Sequence, residues 1–334
     1  MPDVLVIGAG HNALIAGCYL ARAGLDVEVI ERDTVPGGAV STVHRWPGYA
    51  VDRGSSAHVM FRHTGIAEDL DLASYGLHYD DVDPWGFAPF ETPQGQVALT
   101  FWRDLDRTCA SIARLCGGAE AAAYRRFVAE WTTRSDRIFA AFAGPATPGR
   151  IGRSLWGLGR ATGLSGPALS QEFLASGDRL LDATFEDERL KTALSWLGAQ
   201  SGPPTHEPGT AALVGWLALL HRIPPGHPHG GSGALTAALA ARLHADGGRL
   251  RLGDPVTAIE TVGDRVTGAR TASGDRVAAT TVVAGCHILA TLGLLGDACP
   301  EPVRRRATRI DVGDGIGMVV RLGTRALPAY PADT

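Results

Sequence analysis

Two short apolar runs open the chain. Residues 3–7 (DVLVI) and 26–30 (DVEVI) each predict a buried strand. Between them, residues 14–23 carry apolar side chains at helical spacing up to Gly24, so the opening reads strand, helix, strand. Helical spacing returns at residues 104–115, 119–142, 186–197 and 210–220. Proline and glycine signals at 144–145, 203–204 and 224–226 separate these segments. A hairpin is expected around Pro93, Gln94, Gly95 and Gln96, after the aromatic, proline-containing stretch at 83–87. Residues 231–246 predict another helix, with Ser232 as its cap. From Arg249 the pattern becomes β, a meander over 255–283 with turns at 263–264 and 273–275. A further strand is expected at 310–322 as the start of a second domain's sheet.

The turn after the first strand carries Gly8, Ala9, Gly10, His11, Asn12 and Ala13, a G-x-G-x-x-[G/A] fingerprint in strand–turn–helix context. Gly8 permits the tight turn, and Gly10 lets the backbone approach a pyrophosphate. The small Ala13 lets the helix pack close to the strand. A helix N-terminus offers free N–H groups and partial positive charge to phosphate. Glu31 ends the second strand, where a carboxylate accepts ribose hydroxyls. The expected ligand is a dinucleotide. Gly37, Gly38 and Ala39 follow at once. A second glycine pair brings more backbone against an extended diphosphate, which favours FAD. It also fits a plain surface turn, so a nicotinamide-dependent dehydrogenase stays open on these residues alone.

With 334 residues the chain is long enough for two domains. Its 45% hydrophobic and 20% charged content excludes a disordered chain. Net charge is −4, and the longest basic run is Arg304, Arg305 and Arg306, read as a solvated helix end. No nucleic-acid partner is expected. The five cysteines, Cys18, Cys109, Cys116, Cys286 and Cys299, are too scattered for a disulfide framework and contain no C-x-x-C. His227 and His229 flank a glycine turn at a spacing poor for ligation, so no metal is expected. The N-terminus reads as a strand and turn rather than a signal peptide, and the longest apolar run, 209–220, is too short to span a bilayer. The expectation is a cytoplasmic protein with at most peripheral membrane contact.

Residues 4–40 resemble the FAD-binding N-terminus of the phytoene desaturase-like flavin oxidoreductases, in particular the bacterial branch related to pyridine nucleotide-disulfide oxidoreductase domain-containing proteins. The motifs are G-A-G-H-N at Gly8 to Asn12 and E-R-x-x-x-x-G-G at Glu31, Arg32, Gly37 and Gly38. The segment at 54–58, ending in His58, resembles the family's G-S-x-x-H. Residues 101–108 resemble its step into the substrate domain, and 230–235 its G-G-x-x-x-L helix start. Asp254, Pro255 and Val256 resemble the strand whose backbone meets the adenine. Residues 282–286, containing Gly285, resemble the strand that rejoins the Rossmann sheet.

The resemblance implies an α/β fold: a Rossmann-type FAD-binding domain with a β-meander (1–75 and 229–300) and an inserted α+β substrate domain (76–228 and 301–334). Family members continue to a C-terminal glycine-rich segment that returns to the flavin, and nothing after Gly323 resembles it. The expectation is therefore a fragment, or half of a split enzyme whose partner chain supplies the rest. The implied cofactor is FAD, held by Gly8, Gly10, His11, Asn12, Ala13, Glu31, Arg32, Gly37, Gly38, Ala39, Val256 and Gly285. The implied activity is desaturation or dehydrogenation, moving a hydride from a hydrophobic small molecule to flavin N5. The alternative is a non-catalytic or half-enzyme subunit. His58 is the candidate general base, against a plain hydrogen-bonding role. Trp85, Trp102 and Trp216 are expected to line an apolar tunnel.

Overall fold

A computed structural model describes residues 1–142, 144, 147–163, 166–310 and 319–326. The described residues form two compact units. The first is built from Met1–Asp80, residues 226–310 and Val319–Gly323, and the second from Asp81–Pro225 with residues 324–326.

In the first unit, strand β1 (Val4–Ile7), helix α1 (His11–Arg22) and strand β2 (Val27–Ile30) form a parallel crossover, with Val4 opposite Val27 and Ile7 opposite Ile30. The Thr281–Ala284 strand pairs in parallel with the other edge of β1, and Arg249–Arg251 pairs with β2. All of β1 is buried because both faces of this sheet are covered. On one face Val4 and Val6 pack with Leu14 and Cys18 of α1 and with Leu235 and Leu239 of the Gly233–Ala245 helix. On the other, Leu5 and Ile30 meet Ala269, Val277 and Ala279. Ala269 and Val277 belong to the antiparallel meander Val256–Val262, Arg265–Thr271 and Arg276–Ala278, and Ala279 lies just past its last strand. Period-two alternation along β1 thus feeds two separate cores. This is a Rossmann-type arrangement, with the meander as one covering layer.

The second unit opens with a hairpin, Gly86–Thr92 paired to Gly95–Phe101, followed by helices. Leu105–Cys116 starts at Asp104, whose side chain accepts the Arg107 N–H. The long Gly118–Phe142 helix sends Tyr124, Phe127 and Trp131 into an aromatic core with Phe101 and Phe185. The segment expected as one helix at 210–220 divides into α-helix Ala211–Gly215 and 3-10 helix Trp216–His221. The Trp131 ring fills the space a Cβ at Gly215 would need, so only glycine fits there. Three helices have no counterpart in the sequence expectation: Pro148–Thr162, Gly166–Leu174 and Gly177–Thr184.

Domain boundaries differ from the expected 75 and 229. The first unit reaches Asp80 and resumes at Gly226, because His58 forms a two-way backbone bridge with Gly226 and hydrogen-bonds Tyr79. Residues 301–310, expected in the second domain, fold with the first: Ala307 of the Glu301–Ala307 helix is buried with Leu292 and Cys299. Residues 319–323 do the same, through Arg321 Nε and Nη2 donating to the Asp52 carbonyl at 3.1 and 3.0 Å. The expected strand at 310–322 falls largely on residues 311–318, outside those described, and residues 319–322 form no strand.

Candidate dinucleotide-binding site

The β1–α1 turn and the second glycine turn meet. Gly10 and Gly37 form a parallel bridge, and the Gly37 N–H donates to the Ala9 carbonyl at 2.7 Å. Gly37 has φ +113, and a Cβ there would lie 2.1 Å from the Val40 oxygen, so the turn itself requires glycine. Gly10 is different. Its φ of −62 and ψ of 157 suit any residue, and a Cβ there would enter open space. The fold places no demand for glycine at 10, so the bare backbone is explained by something approaching it from that side. A Cβ on Gly38 would sit 3.9 Å from the Gly10 Cα, so the two turns face each other across this space.

Helix α1 begins there with Gly10 as its cap residue, no side-chain cap and no acidic residue in the first turn. The first intrahelical bond is Leu14 N–H to the Gly10 carbonyl, which leaves the N–H groups of His11, Asn12 and Ala13 without partners inside the helix. Helix dipole and donors together favour an anion. Asn12 is exposed, His11 is half-buried with its pKa lowered by burial, and Ala13 is buried. A Cβ on Gly285 would lie 2.5 Å from the Ala13 Cβ. Gly285 and Ala13 are thus small because α1 and the Thr281–Ala284 strand end touch. Gly285 also donates its N–H to the Ile7 carbonyl at 2.8 Å.

Glu31 is buried at the end of β2. Its Oε2 accepts the Ala9 N–H at 2.6 Å and its Oε1 the Asp33 N–H at 2.9 Å. The carboxylate therefore ties the two turns together, and each oxygen keeps capacity for a ribose hydroxyl. The Asp254 N–H donates to the Glu31 carbonyl, which sets Val256 two residues beyond the site, with its side chain packed against the meander core. Arg32 and Ala39 are exposed. Donor set, open backbone and carboxylate fit a dinucleotide with a diphosphate and a ribose diol.

His58 is buried at 4% exposure. Its Nδ1 lies 2.7 Å from the Tyr79 hydroxyl and its Nε2 2.7 Å from the Ser232 hydroxyl. Burial pushes its pKa down to about 4. Protein hydroxyls thus engage both ring nitrogens of the expected general base, the geometry of a hydrogen-bonding strut. Ser232 likewise does not cap its helix with its side chain. That end is held by Asp52 Oδ1, which accepts the Ser232 N–H at 2.8 Å, and by Thr42 Oγ1, which accepts the Gly233 N–H at 2.8 Å. Thr236 in the same helix donates to the Val40 carbonyl and backs the Gly37 turn. These supporting residues lie about 180 positions apart along the chain, and no spacing rule joins them.

Of the three tryptophans expected to line a tunnel, Trp85 lines an apolar cavity of about 390 Å³ within the second unit. Phe87, Phe90, Phe101 and Trp196 make the rest of its aromatic wall, with Leu197 beside them. Trp85 Nε1 is buried without a hydrogen-bond partner. Trp102 instead lies under the Arg107 guanidinium, and Trp216 Nε1 donates to the Ser201 hydroxyl at 3.1 Å. His227 and His229 bond the Ser56 carbonyl and Asp80 separately.

Residues 6–70 match the family model described as an NAD(P)-binding Rossmann-like domain. The chain is 29% identical over 270 residues to mouse (Mus musculus) pyridine nucleotide-disulfide oxidoreductase domain-containing protein 2, covering 72% of this chain and 45% of that protein. It is 30% identical over 311 residues to hydroxyneurosporene desaturase of Cereibacter sphaeroides, covering 91% and 60%. An oxidoreductase from Methanosarcina mazei shares the fold, with a TM-score of 0.62 at 17% identity, covering 92% of this chain and 64% of that one. The chain spans about half the length of the curated relatives it matches.

Proposed function

From a chain that is phytoene desaturase-like along most of its length, we propose an FAD-dependent oxidoreductase that dehydrogenates a hydrophobic small molecule. The observation that carries this reading is Gly10: its backbone is ordinary, its Cβ side is open, and an uncapped helix N-terminus and a second glycine turn face the same space. Bound there, FAD would supply the two-electron redox chemistry that dehydrogenation needs.

The chain's own residues bind and orient. Gly10 and Gly38 leave room for the diphosphate, and the His11, Asn12 and Ala13 N–H groups face its charge. Glu31 accepts the ribose hydroxyls while fixing the Ala9 turn. Arg32, Ala39 and Val256 lie along the same two edges and are assigned to the cofactor on their position. Gly285 serves it indirectly, by letting α1 seat against the strand. Tyr79 and Ser232 hold the buried His58 ring in place behind the second glycine turn. The apolar cavity beside Trp85 supports a hydrophobic substrate.

The test is Gly10→Ala. The methyl enters open space, so stability falls by no more than about 1 kcal/mol, while flavin retention drops sharply. A variant that folds and keeps the wild-type flavin content would falsify the assignment of the cradle.

A further inference from the structure

We propose that the apolar cavity beside Trp85 recognises a compact, neutral, unsaturated ring hydrocarbon, and that Ala88 sets its size limit. The cavity lies between the Gly86–Thr92 strand and the Glu188–Ala199 helix. From the helix, Thr192, Ala193, Trp196 and Leu197 line it at i, i+1, i+4 and i+5, which is one helical face. Large aliphatic side chains ordinarily close the gap between a helix and a strand. Here Gly86, Ala88 and Ala193 face it instead. Gly86 is small because it is covered: a Cβ there would lie 3.1 Å from the Phe101 ring and 3.5 Å from Leu197. Ala88, two residues on and so on the same strand face, is only half-buried and borders the open space. Trp196 lines the cavity and is also 64% exposed, so it stands at the mouth.

Volume, charge and wall chemistry select the ligand. A cavity of about 150 Å³ holds one benzene. The 390 Å³ here therefore suits a body of about two rings. A long polyene would leave most of its length outside. No charged side chain is among the described residues of the lining. A carboxylate or ammonium group would give up its hydration there without a partner. The faces of Trp85, Phe87, Phe90 and Phe101 favour an unsaturated ring over a saturated one. That this ligand is the substrate rests on the oxidoreductase reading; that the cavity holds it does not.

The test titrates the full chain by calorimetry with naphthalene, benzene and 2-naphthoate, with flavin content measured on the same sample. Naphthalene should bind, benzene about tenfold more weakly, and 2-naphthoate more weakly than naphthalene by a similar factor. In Ala88→Val the added methyl groups suit a strand and enter the cavity. Its naphthalene affinity should fall about tenfold or more while its benzene affinity holds. Retained benzene binding also shows that the variant is folded. Absence of naphthalene binding by the wild-type chain overturns the proposal. So does 2-naphthoate binding as tight as that of naphthalene, or an equal loss of both hydrocarbons in Ala88→Val. Naphthalene binding by a chain without flavin would support the cavity assignment and count against the oxidoreductase reading. Flavin retention without naphthalene binding would do the reverse.

Discussion

His58 sits where a charge would be costly: buried, with hydroxyls on both ring nitrogens and a pKa pushed down to about 4 by burial. The sign of its effect on stability follows. In the unfolded chain the imidazole takes up a proton near pH 6.5, whereas the folded chain resists until about pH 4. The unfolded state binds more protons in between, so His58 contributes its full stability above pH 6.5 and loses it as pH falls toward 4, by about 1.4 kcal/mol per pH unit. Urea midpoints of wild type and His58→Gln between those limits should converge as pH falls. A constant difference would mean that His58 titrates normally. Its residue type was legible in the sequence as notable, but its role was not. A histidine near a glycine-rich segment reads equally as base or as hydrogen-bonding strut, and Tyr79 and Ser232, which decide between them, reach it only through the fold.

The Gly233–Ala245 helix shows the same limit at the level of an element. Its existence follows from apolar spacing, and Ser232 looks like its cap. Yet the Ser232 hydroxyl turns to His58, and Asp52 and Thr42 cap the helix from the Thr42–Trp46 and Tyr49–Asp52 hairpin. Asp52→Ala should therefore behave as an N-cap deletion, lowering unfolding free energy by about 1–2 kcal/mol. Ser232→Ala should act through His58 instead, and leave the helix start intact. Amide exchange at the start of the helix distinguishes them: fast exchange in Ser232→Ala but not in Asp52→Ala contradicts this division. The missed Pro148–Thr162 helix has a different cause. Four glycines fall within it, at 149, 152, 157 and 159, with Gly163 just past its end, and they obscure the apolar spacing of Ile151, Leu155 and Leu158. The caps at Thr147 and Gly163 were the readable signal.

At the scale of the whole molecule, the Rossmann unit was the most legible part. Its strand–turn–helix–strand opening and its meander are local patterns with strong glycine punctuation, and both fold as the pattern directs. The later stretches of the first unit, residues 301–310 and 319–323, were less so. Ala307 and Arg321 return to the first unit through contacts with Leu292 and Asp52, and no local sequence signal announces a long-range return. The cofactor is the claim on which the rest depends. Its most direct test is the visible absorbance spectrum of the purified chain, with the molecule released on denaturation identified by chromatography. Flavin bands and FAD in the released fraction are expected. A folded but colourless protein that holds NAD tightly, or no dinucleotide at all, would contradict it.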